Sequence, residues 1–291
     1  MRSFLFVPAD SQRKIDKSFG TSADALILDL EDAVAPERKA EARHLARDAL
    51  ARDRAGRQVF VRVNALDTGL TLTDLAAVMA GAPDGVVLPK CAGREDVVHL
   101  DRLLDGMEAA LGLPMRRTRI IAVATETPAA VLSLAGYVGS STRLWGLMWG
   151  AEDLAGALGA SANRSDGRYR APFELARNLC LLGAAAAGVV AIDAVFTDIA
   201  DSEGLLAEAC EARVDGFGSK ALIHPDQCDI VNRAFLPSEA EIRWAQRVLD
   251  ALETSSSGVV RLDGKMIDRP HEIQARRILG MARPGAVDAC G

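Results

Sequence analysis

The sequence predicts one large α/β domain, a (β/α)8 barrel with a short C-terminal lid or arm, and three observations carry that prediction. Eight short apolar runs recur along the chain, separated by segments of helical composition. Polar residues fall just past nearly every run rather than at one switch point, and no GxGxxG joins the first run to the first helix. Both facts disfavour an open doubly wound sheet. The chain is 291 residues long and 49% hydrophobic, enough for a barrel of ~250 residues and a small remainder.

The runs are 3–7, 25–30, 58–63, 85–88, 119–124, 143–149, 191–196 and 216–223. They are short, rich in β-branched and aromatic residues, and end in turn or cap residues such as Pro8, Pro89, Thr127-Pro128 and Gly150, as strands buried on both faces do. Between them, 36–51 is rich in Ala, Arg and Glu, 73–79 and 94–111 show mixed apolar spacing, and 172–188 is Ala/Leu-rich after a Pro start; these are expected helices. The barrel is expected over 1–236. In the extension, 237–291, residues 238–252 read as a capped helix, 253–258 as a polar joint, and 259–279 as a strand-turn-helix with a loose tail. That piece can be a lid, an arm onto a neighbouring subunit, or a helix covering the flank.

A net charge of -6 gives no general basic field, so duplex nucleic acid is not an expected partner. Five scattered cysteines (Cys91, Cys180, Cys210, Cys228 and Cys290) without CxxC spacing fit reduced thiols in a cytoplasmic protein. The apolar stretch 4–7 is too short for a signal-peptide core, and 179–195 contains Gly183, Gly188 and Asp193 and reads as a helix running into a strand, not a membrane span.

If the barrel forms, strand ends place a set of polar residues at one mouth: Asp10; Asp29, Glu31 and Asp32; Arg62 and Asn64; Lys90; Glu126; Asp153; and Lys220 with His224. The set is acid-rich. Glu126 and Asp153 stand one strand-to-strand repeat apart, and paired carboxylates that leave positions for water and ligand are how proteins hold Mg2+. Arg62 and Lys90 would then meet a substrate carboxylate. The competing assignment is that Glu126 and Asp153 cap helices and that Asp29, Glu31 and Asp32 form an N-cap cluster for the helix at Pro36. Arg62 alternates with valines and is placed in the barrel interior, where it needs an anionic partner. His224 reads as structural, and His44, His99 and His271 as surface residues. Two basic groups, Arg13-Lys14 with Lys17 and Arg164, Arg168 and Arg170, are either solvated surface or grips for phosphates.

The segments RSFLFVPA (2–9), ALILDLEDAVAPERKAEAR (25–43), VRVN (61–64), VLPK (87–90), ETP (126–128), GAEDLAGALG (150–159), GFGSKALIHPDQ (216–227) and DGKMIDRPH (263–271) together make the chain resemble the citrate lyase beta-subunit-like family of HpcH/HpaI-type aldolases, with malyl-, citramalyl- and β-methylmalyl-CoA lyases. The resemblance spans residues 2 to about 280. It implies a TIM barrel, assembled as a homotrimer, that uses Mg2+ to make or break a carbon–carbon bond between an acyl-thioester enolate and a 2-oxo acid.

Carried over by motif, Glu126 and Asp153 would ligate the metal and Arg62 would stabilise the oxo-acid and thioester oxygens. Asp29, Glu31 and Asp32 would stand one layer behind the ligands, and Arg13, Lys14 and Lys17 would approach coenzyme A phosphates. Asp268 would be the base that reaches the adjacent subunit's site. The leading expectation is an acyl-CoA lyase of the malyl/citramalyl type. Rivals are a citrate lyase beta subunit acting on a carrier-protein thioester, a malate-synthase-like thioesterase, and a non-catalytic acyl-CoA-binding barrel. An intact Asp268 segment favours the stand-alone enzyme over the citrate lyase subunit.

Overall fold

Each apolar run becomes a strand, because a run without alternating polarity can bury both faces. They are β1 (Ser3–Pro8), β2 (Ala25–Asp29), β3 (Gln58–Arg62), β4 (Gly85–Leu88), β5 (Arg119–Val123) and β6 (Leu144–Met148), then, after a two-residue hairpin β7 (Arg164–Ser165) and β8 (Arg168–Tyr169), β9 (Val190–Asp193) and β10 (Ser219–Leu222). All pairings in the main sheet are parallel, and β1 pairs both β2 and β10, so the sheet closes into an eight-stranded barrel. This computed structural model describes residues 1–255 and 258–282; Cys290, most of the tail and part of the 253–258 joint lie outside them.

The helices between strands are α1 (Gln12–Phe19), α2 (Lys39–Leu50), α3 (Thr71–Val78), α4 (Arg94–Leu111), α5 (Pro128–Leu132), α6 (Glu152–Leu158), α7 (Ala171–Ala187) and α8 (Ser202–Asp215). The chain divides into two compact units, Met1–Asn232 and a second that begins at Arg233, with α9 (Gln227–Ala234) running across the division. No helix among the described residues is long and apolar enough to cross a membrane.

The barrel interior is filled by alternate residues of every strand: Phe4, Ala25, Ile27, Phe60, Val87, Ile121, Val123, Met148, Ile192 and Ala221. Phe4, Phe60 and Trp145 meet there, with ring centroids 5.5 Å apart for Phe4–Phe60 and Phe4–Trp145. A register shift between Ile120 and Ile121 opposes Ile120 to Leu144 and Ile121 to Gly146, so Trp145 is the extra residue at this irregularity. Gly85 makes room for the cluster: a Cβ there would run into the Phe60 ring and stand 2.8 Å from the Arg119 carbonyl oxygen.

The second unit has its own core. Ser238 and Glu241 form a reciprocal capping box on α10 (Glu239–Glu253). The hairpin β11 (Val260–Leu262) and β12 (Lys265–Ile267) turns at Asp263-Gly264, both at positive φ, and leads into α11 (Arg269–Ala282). Ala245, Val248, Ile267, Ala275 and Ile278 pack together, and Arg247 ties α10 to the hairpin tip through Asp263 at 2.6 and 2.9 Å.

Because the Gly85 backbone and the Phe60 ring cannot both stay in place around a methyl group, Gly85→Ala should cost about 1–3 kcal/mol. Urea unfolding reads this as a lower midpoint at unchanged slope; an unchanged midpoint would show that the interior is loosely packed.

Candidate active site

The C-terminal ends of β2 to β6 bring one acidic cluster together. On β3 the pleat turns Arg62 inward with Phe60, and on β2 it turns Asp29 the same way, one register step across at Asp29↔Arg62. Their side chains meet as a fork: Arg62 Nε and Nη2 donate to the two Asp29 oxygens at 2.8 and 2.7 Å. Arg62 Nη1 stands 2.9 Å from Glu31 Oε2, and its guanidinium lies over Phe6 at 4.8 Å. Burial pulls the guanidinium down, but Asp29 and Glu31 outweigh it and hold Arg62 above its ordinary value. Glu31 Oε2 is buried with no hydrogen-bond donor of good geometry. The turn carrying Glu31 and Asp32 is fixed from beneath by Lys39, whose Nζ donates to the carbonyls of Leu30 and Glu31 at 2.7 and 2.8 Å.

Lys90 follows β4 in a left-handed backbone conformation (φ 50), a rare one for a residue with a side chain. The turn points its N–H at Glu126 Oε2. Its ammonium contacts Glu31, with Asp32 at 3.1 Å and Asp153 at 3.7 Å. Burial works against that charge, yet the Glu31 and Asp32 carboxylates raise it above the usual lysine range.

Glu126 lies just past β5 and is 4% exposed. It does not cap α5; Thr127 does, its side chain accepting from the Ala130 N–H. Asp153 sits in the first turn of α6, whose N-cap is Ala151. The two neighbourhoods are laced together by the Gly150 N–H donating to Thr125 Oγ1 at 2.9 Å, and a side chain on Gly150 would begin 3.2 Å from Glu126 Cγ. Burial, with Asp153 and Glu31 adding to it against the Lys90 amide, pushes the Glu126 carboxyl up to about 8. Asp29, Glu31, Asp32, Glu126 and Asp153 thus gather around two cations, Arg62 and Lys90, with Lys39 behind them. The acids are in excess, and all the side-chain donors they offer are hard oxygens.

A profile of the HpcH/HpaI aldolase/citrate lyase family matches residues 2–225. The chain belongs to that family. Among its relatives, a (3S)-malyl-CoA thioesterase of Cereibacter sphaeroides is 36% identical over 285 residues, 97% of this chain and 94% of that one. The citrate lyase subunit beta of Escherichia coli is 37% identical over 288 residues, 97% and 93% of the two chains. The CitE protein of Mycobacterium tuberculosis, solved in complex with magnesium, acetoacetate and coenzyme A, superposes with a TM-score of 0.81 at 36% identity over 97% of each chain. The CitE chain shares the fold seen here.

Several residues expected at the mouth of this family barrel point away from the cluster or are committed to other partners. Lys220 is fully buried but turned outward, because Ala221 is the β10 residue that faces the interior. Its Nζ donates to Asp193 at 2.6 Å, Glu208 at 2.9 Å and the Ala194 carbonyl at 2.8 Å. Trp149 Nε1 donates to the same Asp193 at 2.7 Å, which anchors the chain just before the Gly150 turn. Asp10 is taken by Arg38 at 3.1 Å, and Asn64 is clamped between Asp74 and the Leu30 carbonyl.

Neither basic group faces the cluster through an ion pair. Arg164 stacks on Tyr169 at 3.7 Å and pairs with Glu208 at 2.7 Å, while Arg168 and Arg170 are exposed. Arg13, Lys14 and Lys17 are exposed on α1 and make no ion pair among the described residues. Asp29, Glu31 and Asp32 touch Arg62 and Lys90 rather than Glu126 or Asp153 directly. Lys39 and Gly150 lie inside the family segments 25–43 and 150–159, but, like Thr125, they had no expected role in the cluster that they brace.

The Glu126 shift carries a sign. Its folded-state value lies above the ordinary 4.5, so its contribution to stability is full below that and is lost as pH rises toward about 8. In chelator-treated protein, Glu126→Gln should therefore raise Tm at pH 8 by about 2 °C or more over wild type, with the gap closing as pH falls into the carboxylate range. A gap that does not depend on pH would contradict the buried, charge-crowded carboxyl.

Proposed function

We propose that this chain is a Mg2+-dependent carbon–carbon lyase that cleaves, and reversibly forms, a 3-hydroxyacyl-CoA of the malyl or citramalyl type, giving an acyl-CoA and a 2-oxo acid. The observation that carries the reading is Glu126, a buried carboxyl pushed up to about 8 beside Asp153, with no ion-pair partner of its own among the described residues. A divalent cation relieves that crowding. Two carboxylates with room for water and a bidentate ligand suit Mg2+. Among the described residues no three His, Cys, Asp or Glu groups form a closed metal cage. A site that leaves positions to the substrate needs none.

Mg2+, when bound by Glu126 and Asp153, would supply Lewis-acid neutralisation of charge on the oxo-acid oxygens. The protein's own groups do the rest. Arg62 is held in one plane by Asp29 and by Phe6, so its remaining N–H groups are pre-aimed at charge developing on the thioester and oxo-acid oxygens. Lys90 keeps Glu31, Asp32 and Asp153 from repelling one another and orients Glu126 through its backbone N–H. In the condensation direction Asp268 takes a proton from the acyl methyl, supplied, as the resemblance implies, by a neighbouring copy in a homotrimer. Arg13, Lys14 and Lys17, which make no ion pair among the described residues, are cations suited to coenzyme A phosphates. Free thiols at the described cysteines and the absence of a membrane-crossing helix among the described residues support a cytoplasmic enzyme.

One second reading has support, since a relative at 36% identity is named a thioesterase. The two separate by assay. Cleavage of malyl-, citramalyl- and citryl-CoA should depend on Mg2+ and disappear in Glu126→Ala and Asp153→Ala proteins that keep wild-type circular dichroism; Mg2+-dependent turnover in either variant would defeat the metal assignment. With acetyl-CoA and glyoxylate, a lyase accumulates malyl-CoA without releasing thiol. Stoichiometric thiol release would mark the thioesterase outcome.

A further inference from the structure

Asp268 stands at the N-terminus of α11, where an aspartate ordinarily spends its carboxylate on the backbone N–H groups of the first turn. Here it does not. The N–H groups of His271 and Glu272 donate to the Asp268 main-chain carbonyl, at 3.0 and 3.1 Å. The carboxylate instead meets the imidazole of His271, Nδ1 to Oδ1 at 2.6 Å. Among the described residues that imidazole is the only hydrogen-bond partner of the Asp268 side chain, and Oδ2 is left free.

With its proton on Nδ1 the imidazole donates to Asp268 Oδ1 at 2.6 Å; the longer 3.3 Å approach of the Asp268 N–H to the same nitrogen would need the other tautomer, so the two cannot form together. The frame behind the pair is rigid. Ile267 is 2% exposed in the core of the second unit, the hairpin before it is tied by Arg247 to Asp263, and both partners sit on one helical turn.

We infer that His271 is the positioning residue of the Asp268 base: its Nδ1–H fixes Oδ1 and so presents Oδ2 as the oxygen that accepts the proton. The inference rests on the proposed lyase reading, in which Asp268 removes a proton from the methyl or methylene carbon of an acyl thioester. In that step the C–H bond breaks, its electron pair becomes the thioester enolate, and the proton ends on Asp268 Oδ2. His271 keeps its own proton throughout. The imidazole therefore orders the base before the step, and it touches no reacting atom.

The test is solvent-deuterium exchange into acetyl-CoA and propionyl-CoA, measured with Mg2+ on the full-length protein. It compares wild type, Asp268→Asn, His271→Gln, His271→Ala and His271→Asn, with KM for the thioester and Tm read alongside. Asparagine can place an N–H where Nδ1 stands; glutamine places it one atom further out and alanine removes it. Exchange should fall about 10- to 100-fold in His271→Gln and His271→Ala at little-changed KM and Tm, and stay within about threefold of wild type in His271→Asn. Wild-type exchange in His271→Gln and His271→Ala, with Asp268→Asn inactive, overturns the His271 role alone. So does a loss in His271→Asn as large as in His271→Gln. Wild-type exchange in Asp268→Asn, or none in wild type with either thioester, overturns the base assignment and this inference with it.

Discussion

Eight parallel strands closed on themselves have no free edge and no wet face, so a charge in this unit must either be matched on the spot or emerge where the strands end. The two ends of the barrel answer that constraint differently. At the N-terminal end Arg143, fully buried, donates to Asp101 at 2.8 Å, Asp105 at 2.5 Å and Glu108 at 2.6 Å. Burial would raise Glu108, but the bonds from Arg143 and the Thr118 N–H overrule it and hold the carboxyl at about 2. On the flank, Lys220 and Arg177 do the same for Asp193, which stays below the carboxylate range although it is entirely buried. At the C-terminal end the matching stops short: Arg62 is committed to Asp29 and Glu31, Lys90 to Glu31 and Asp32, and among the described residues Glu126 has only the Lys90 amide. That residual imbalance separates a site from a structural ion network.

The barrel was legible because parallel strands buried on both faces read as uninterrupted apolar runs, and the acids of the mouth because they follow those runs directly. The ETP and LEDAV segments carried Glu126 and Glu31 in the same way. What could not be read is set by single-residue geometry. Arg62 ends β3 and Lys220 is the second residue of β10, but the pleat turns one to the interior and the other to the helices, and a step of one position reverses that choice. The shift at Ile120 and Ile121 that seats Trp145 has no marker in the local sequence. Lys90 gives no hint of its left-handed turn, and so none that its backbone, more than its charge, addresses Glu126. His271 looked like a surface residue on a polar helix because its partner lies one turn back and the contact depends on a carboxylate declining its usual capping role.

Positioning recurs at each residue proposed for the site. Asp29 and Phe6 hold Arg62, the Lys90 amide holds Glu126, the Thr125 hydroxyl holds the Gly150 turn ahead of Asp153, and the His271 imidazole holds Asp268. Each supporting group belongs to the same compact unit as the residue it supports. Such arrangements lower the reorganisation needed when charge develops, which is where a lyase that must stabilise an enolate and an oxo acid gains most.

The crowded carboxylates at the C-terminal mouth are the proposed divalent-cation site. Anomalous scattering from crystals grown with Mn2+ in place of Mg2+ tests it most directly. Such crystals should show one anomalous peak per chain at the mouth, in contact with both Glu126 and Asp153 and absent in Glu126→Gln crystals. No peak at the mouth, or one that persists unchanged in Glu126→Gln, would contradict it.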